Sequence, residues 1–319
     1  MAFPTIPTVG AGRVLWALAT NPAGTHTSPS LSSLTKNAND LLIAICIIYD
    51  GNSTNAEFSS WGGSFTEFGD FATTTTMGIG VAYKWSTGSE TGTFTVTSAD
   101  TSANDSAFCL LSIPGAHLTT PPEAGQYASS AGQPPAVAAA LNPSSWDTED
   151  TLWIAVGGSG ETGTGGVYTG IASAPTSYTD YADSGISADV IGGVEGAVAF
   201  LQLNAASEAP GAWTGDTSSA RGAAIVIAVR PLTQVEHAIA SDFPLGLSIV
   251  SNLSPVEKVI SSDFSLGLDI VTNLVVEKLL QIELPLGLTI ETNLIVEAGV
   301  PPQTTLDTQI YFPVGRGPF

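Results

Sequence analysis

At 319 residues the chain is long enough for one large or two ordinary domains with cores of their own. Eight Lys and Arg against 29 Asp and Glu give a net charge of −21, which excludes a nucleic-acid surface and fits a soluble β-protein whose acidity resists association. No apolar run reaches the length of a membrane-spanning helix, so no contact with a membrane interior is expected.

Met1-Ala-Phe-Pro-Thr-Ile-Pro-Thr-Val-Gly has no basic region and is broken by prolines, so it does not read as a secretory signal. Residues 1–34 are rich in Pro, Thr and Ser around one strand candidate, 14–18. Asp40-Leu-Leu-Ile-Ala-Ile-Cys-Ile-Ile-Tyr49 is a continuous apolar run, as a strand buried on both faces requires. Met77, Ile79, Val81, Tyr83 and Trp85 alternate with Gly78, Gly80, Ala82 and Lys84, which predicts a strand with one buried face. Strands 93–97 and 107–113 follow, separated by Gly, Ser, Asn and Asp turns, and no stretch has helical periodicity. Cys46 and Cys109 each lie inside an apolar run and are expected as buried free thiols.

The chain then repeats itself. Asp40-Leu-Leu-Ile-Ala corresponds to Asp150-Thr-Leu-Trp-Ile-Ala155, and Ser64-Phe-Thr-Glu-Phe-Gly-Asp70 to Ser177-Tyr-Thr-Asp-Tyr-Ala-Asp183. Val81-Ala-Tyr83 corresponds to Val198-Ala-Phe200, and Ser89-Glu-Thr-Gly-Thr-Phe-Thr95 to Ser207-Glu-Ala-Pro-Gly-Ala-Trp-Thr214. The match of 107–114 to 224–231 keeps the offset of 117 set by Val81 and Val198. Two halves, about 35–117 and 145–232, can form two packed sandwiches or give one sheet each to a larger one. The expected fold class is all-β, a duplicated jelly-roll-like β-sandwich over 1–232 followed by a repeated β-shaft.

This pattern resembles a domain of structural proteins in tailed-bacteriophage virions and of some bacterial surface proteins. Carrying the resemblance are the Asp-Leu-Leu run, Ser-Phe-Thr-Glu-Phe, Val-Ala-Tyr-Lys84, Gly88-Ser-Glu-Thr-Gly-Thr-Phe-Thr95 and the apolar closing strand, over residues 10–232. These are packing and turn motifs.

Residues 233–298 hold a shorter repeat. Leu245-Gly-Leu-Ser-Ile-Val-Ser-Asn252-Leu, Leu266-Gly-Leu-Asp-Ile-Val-Thr-Asn273-Leu and Leu286-Gly-Leu-Thr-Ile-Glu-Thr-Asn293-Leu place their asparagines 21 and 20 residues apart. Apolar residues occupy alternate positions, and Phe-Pro-Leu-Gly246, Phe-Ser-Leu-Gly267 and Leu-Pro-Leu-Gly287 supply turns. Each copy holds too few apolar side chains to offset the ordering of its backbone, so the array is expected to need partners of its own kind. It resembles the shaft repeats of trimeric viral fibres, which implies a homotrimer. A β-prism, a β-solenoid, or a meander folded back on the first domain are the other geometries open to it. Residues 299–319, with Asp307 and Arg316 as their charges, end in an apolar segment expected to dock on another particle protein through Ile310, Tyr311, Phe312 and Phe319.

No constellation for chemistry stands out, so no enzyme and no cofactor are expected. His26, His117 and His237 lack metal-ligand spacing and read as surface residues. Asp50-Gly-Asn-Ser-Thr-Asn-Ala-Glu57 lacks the Gly and the distal Glu of a calcium loop and reads as a turn. Gly157-Gly-Ser159-Gly-Glu161 fails the nucleophile-elbow pattern at its last position. Glu57, Glu67 and Asp70 are the candidate glycosidase carboxylates, and solvated acids are the plainer reading. Trp61, Tyr168, Tyr178 and Tyr181, in Gly-, Ser- and Thr-rich segments, are the candidate sugar-stacking rings. Taken together these features imply a virion-surface protein, a trimeric fibre, spike or decoration protein of head or tail, released by lysis rather than exported. Its expected partners are itself, other virion proteins and host-surface glycan. The alternative is a glycan-binding adhesin or polysaccharide depolymerase.

Overall fold

The computed structural model describes residues 2–19, 24–49, 58–72, 77–98, 105–125, 128–131, 138–144, 146–161, 170–185, 193–215, 220–232, 270–274 and 290–294. The chain divides into two units, Met1–Thr233 and Gln234–Phe319.

The first half of the first unit holds β1 (Val14–Ala19), β2 (Thr25–Thr27), β3 (Ala38–Tyr49), β4 (Phe58–Trp61), β5 (Thr66–Ala72), β6 (Met77–Thr87), β7 (Thr95–Ser98) and β8 (Asp105–Ile113). β1 pairs with β8, β2 with β7 and β3 with β6, all antiparallel. Such nested pairing is a long hairpin rolled into two sheets, the jelly-roll winding. The resulting sheets run β1-β8-β3-β6-β5 and β2-β7-β4. The second half holds β9 (Glu123–Ala124), β10 (Ala128–Ala131), β11 (Glu149–Glu161), β12 (Ile171–Ser173), β13 (Thr179–Asp183), β14 (Val194–Ala205), β15 (Thr214–Gly215) and β16 (Ala220–Val229). Its main sheet, β10-β16-β11-β14-β13, repeats the order of the first, and β12-β15 stands where β4-β7 stands.

Even a local detail of backbone is duplicated. Ser64 and Ser177, equivalent in the two copies, both adopt left-handed φ values of 61° and 75°. Each follows a tight turn, in which Phe65 N–H reaches the Gly62 carbonyl and Tyr178 N–H the Pro175 carbonyl. A β-bulge then falls at the same place in both β5 and β13. Along the closing strand the pairing shifts the offset by one. Leu41 faces Ile113 and Leu152 faces Val229, so β8 and β16 correspond at 116, and the extra residue is Arg230 before the shared proline. A one-residue slip exchanges the faces of a strand, and this register turns Cys109, Leu111 and Ile113 of β8 and Ile225, Ile227 and Val229 of β16 into the core between the main sheets.

Both arrangements left open by the sequence are present at once. The two main sheets meet face to face over Leu41, Ile43, Ile45, Ile47, Ile79 and Val81 of one copy and Leu152, Ile154, Val156, Val198, Phe200 and Ile227 of the other. The opposite face of the first sheet is roofed by Leu31, Phe58, Phe65, Phe94 and Val96, and that of the second by Trp146, Ile171, Tyr178 and Trp213. The outer face of β6 is therefore covered as well, against the one-faced reading of its alternation. The ring of Phe58 fills the space a Cβ on Gly80 would need, 2.5 Å away. Cys46 and Cys109 are buried free thiols in opposite faces of their sheet, and burial raises both above the ordinary thiol range.

Glycine sets the distance between the main sheets. A Cβ on Gly158 would stand 2.8 Å from Ile47, one on Gly196 would stand 2.7 Å from Trp16, and one on Gly160 would overlap the Tyr49 ring. The same contacts place the strand ends Tyr49, Met77 and Gly160 at one end of the unit. At the other end Thr5 N–H bonds to the Pro114 carbonyl and Leu232 N–H to the Gly115 carbonyl, so the chain enters and leaves this unit at the same pole.

In the second unit β17 (Ile270–Leu274) and β18 (Ile290–Leu294) pair in parallel, Ile270 opposite Ile290 and Asn273 opposite Asn293. A meander would pair neighbouring strands antiparallel, and residues 275–289 are long enough for the crossover a parallel pair requires. The remaining repeat positions and residues 299–319 lie outside the described residues.

Gly160→Val and Gly196→Val should each lower unfolding free energy by about 1–3 kcal/mol, because methyls are forced into an interlocked core. Urea denaturation checks this. Gly10→Ala, with nothing within 4 Å of the new Cβ, should leave the midpoint unchanged.

Candidate functional site

A duplicated fold supplies its own comparison, since features present in both copies serve the fold and features confined to one are where a site is sought. Both copies hold an arginine–carboxylate pair at the pole where the chain enters and leaves. Arg13 Nη1 donates to Asp40 Oδ2 at 2.8 Å, and Ser112 Oγ and the Asn37 N–H donate to the same oxygen at 3.1 and 2.9 Å. Arg230 grips Glu149 with two bonds, Nε to Oε2 at 2.8 Å and Nη2 to Oε1 at 2.5 Å, and packs over Trp146. The two-bond fork of Arg230 on Glu149 fixes its geometry.

Both copies also satisfy the backbone N–H that opens the fourth strand with a carboxylate, but from different strands. Asp70 Oδ2 accepts from Phe58 N–H at 3.0 Å, whereas Glu195 Oε2 accepts from the equivalent Ile171 N–H at 2.5 Å. Glu195 occupies the position of Gly78 in the first copy and is 4 % exposed. Burial, reinforced by Asp183 and opposed by the Ile171 bond, pushes its carboxyl up to about 7. The first copy carries the opposite device. His26 is fully buried, its Nε2 is 3.1 Å from Ser98 Oγ, and burial lowers it to about 4.

One surface cluster belongs to the first copy alone. Trp61, half-buried at the end of β4, donates its indole N–H to Glu67 Oε2 at 2.8 Å. Lys84 lies beside it, donating to the Gly63 carbonyl at 3.2 Å, 3.6 Å from Glu90 and 5.7 Å from the Phe65 ring centre. Burial works against the Glu90 charge, but the Thr87 N–H and the Ser86 and Thr87 hydroxyls hold its carboxyl down at about 2. In the second copy Ala174, Asp180 and Leu201 replace Trp61, Glu67 and Lys84. An indole edge, a carboxylate and an ammonium on one rim are what a polyhydroxylated ligand could stack on and hydrogen-bond to.

The other expected positions do not converge on this rim. Tyr178 is 7 % exposed in the outer core of the second copy, and burial with Glu208 nearby raises its hydroxyl, so it offers no ring to solvent. Tyr181 packs against Trp213 and donates its hydroxyl to the Ile171 carbonyl at 2.7 Å. Trp61 and the two tyrosines thus belong to the outer layers on opposite sides of the unit. Glu67 accepts from the Trp61 indole and Asp70 from Phe58 N–H. His26 is core rather than surface, and His117 Nδ1 accepts the N–H groups of Thr119 and Thr120. Among the described residues no cluster of three or more potential metal ligands exists. Tyr168, His237, Glu57, the Asp50-to-Glu57 turn, Ile310, Tyr311, Phe312 and Phe319 lie outside the described residues.

Sequence reasoning missed His26 and Glu195. The signal for Glu195 was its parity: it shares a strand face with Ala197 and Ala199, residues small enough to lie under a second layer. No known protein family, curated protein or solved structure matches the chain.

The two buried groups oppose each other in pH. His26 is depressed in the fold, so its contribution is present above the unfolded value of 6.5 and is lost as pH falls toward 4. Glu195 is raised, so its contribution is full below the unfolded 4.5 and is lost as pH rises through about 7. Between pH 7.5 and 5.5 the wild-type midpoint should therefore move little. Glu195→Gln should lose about 1 kcal/mol over that span, the His26 share, and His26→Leu should gain stability on acidification. Parallel slopes for all three proteins in chemical denaturation would refute the assignment.

Proposed function

We propose that the chain is a structural component of a bacteriophage particle, a homotrimeric fibre, spike or decoration protein on the virion surface. The observation that carries this reading is a duplicated jelly roll, both of whose ends leave at one pole, joined in sequence to repeats that pair in parallel one period apart. Jelly rolls recur in capsid and lectin domains, where a rigid scaffold carries its binding loops. The interlocked core and the arginine–carboxylate pairs suit a part that holds its shape, and the acidic surface keeps copies apart except where the repeats join them.

Light scattering on the purified full chain should return three times the 32.5 kDa chain mass, and a 32.5 kDa species would exclude the trimer. Gold-labelled antibody against residues 2–232 should decorate particles released by lysis of cells carrying the gene; unlabelled particles would exclude a virion role.

A glycan-binding adhesin is the second reading, favoured by the rim of Trp61, Glu67 and Lys84, which the fold's own duplication does not require. On a glycan array Trp61→Ala should abolish binding while near-ultraviolet circular dichroism stays native. Absence of any bound glycan for the wild type would remove this reading.

A further inference from the structure

The strand registers fix which residues of the two copies are equivalent. Leu41 faces Ile113 and Leu152 faces Val229, so Leu41 matches Leu152 and the offset from β3 to β11 is 111. Ile43 then faces Tyr83 as Ile154 faces Phe200, so the offset from β6 to β14 is 117. Toward the pole where the chain enters and leaves, equivalent residues in the core between the main sheets are alike in size: Leu41 and Leu152, Ile43 and Ile154, Ile45 and Val156, Val81 and Val198. Toward the opposite pole they part. Ile47 corresponds to Gly158, Tyr49 to Gly160, Ile79 to Gly196 and Met77 to Val194, the larger residue belonging to the first copy each time.

This divergence is matched across the core. A Cβ on Gly158 would stand 2.8 Å from its own equivalent, Ile47, and 3.1 Å from Met77. One on Gly160 would overlap the ring of its own equivalent, Tyr49, and one on Gly196 would stand 2.8 Å from Ile47. A residue meets its own equivalent only beside the two-fold axis that relates two copies, so the pseudo-two-fold axis of this unit runs between β3 and β11 here. Two first sheets on such an axis would set Ile47 against Ile47 and Tyr49 against Tyr49, where even the first carbon of an opposing side chain has no room. Two second sheets would set glycine against glycine and leave the space of those side chains empty. Unlike faces fill this pole without overlap.

We propose that this pole is a selectivity element, by which the first main sheet takes a second main sheet as its partner and rejects another first, Ile47 and Tyr49 being the knobs and Gly158 and Gly160 their holes. The face between the sheets is thereby a recognition surface for one partner, the complementary sheet of this fold. Any assembly that gathers several chains brings like copies near like, and the mismatch keeps first copies from pairing with each other. The inference does not rest on the virion reading.

Urea denaturation of the full chain tests it with two pairs of substitutions. Tyr49→Gly alone sets hole on hole and Gly160→Tyr alone sets knob on knob, and each should lower the midpoint. The chain carrying both exchanges knob and hole between the copies and should recover at least half of the larger single loss. Ile47→Gly with Gly158→Ile should behave in the same way. A core in which each side chain fits only where it stands predicts instead that the losses add in both doubles. Where Gly160→Tyr or Gly158→Ile does not fold by itself, folding of the corresponding double is the expected recovery. Recovery in either double supports the selectivity; additive losses or failure to fold in both overturn it, as does a wild-type midpoint for Gly160→Tyr alone, since knob would then tolerate knob. Gold labelling of particles moves with none of these midpoints, so the virion reading and this one fail separately.

Discussion

The first unit depends on how closely its two main sheets approach. Both present an unbroken apolar face, and the glycines at 158, 160 and 196 of the second sheet let Ile47, Tyr49 and Trp16 of the first sink between its strands. At such a separation each strand makes dispersion contacts on both sides, and no methyl can be added without displacing a neighbour. The outer layers follow from the same constraint. A sheet pressed on one face must cover the other, so each copy folds a smaller sheet or a set of aromatic rings over its own back.

Duplication explains what the copies share and exposes what they do not. Left-handed serines, bulges in equivalent strands, arginine–carboxylate pairs and a carboxylate on the N–H opening the fourth strand recur because the winding needs them. Where the first copy could supply Asp70 to that N–H, the second uses Glu195 from a neighbouring strand and turns Asp183 to the Gly185 N–H. A structural demand is met by whichever acid is in reach. Trp61, Glu67 and Lys84 are replaced by Ala174, Asp180 and Leu201 in the second copy, which is why they mark the surface where recognition is sought.

The second unit works by a different physics. Its described strands, β17 and β18, pair in parallel and in register one repeat apart, so that like residue stands opposite like.

Much of this was legible in the sequence. The apolar run 40–49, the offset of 117 between Val81 and Val198, the free buried thiols and the short repeats of 245–294 follow from composition and period alone, because strand alternation and repetition are local properties. Alternation names two faces of a strand, however, and does not say what lies over each. Only the tertiary structure decided that the face of Gly78 and Gly80 is roofed by Phe58, that His26 and Tyr178 are core, and that Glu195 is buried. The same limit holds for the repeats. A period of about twenty residues permits an antiparallel fold-back or a parallel coil, and the parallel register of β17 on β18 was fixed by which strand edges meet in space, a contact the one-dimensional pattern does not contain.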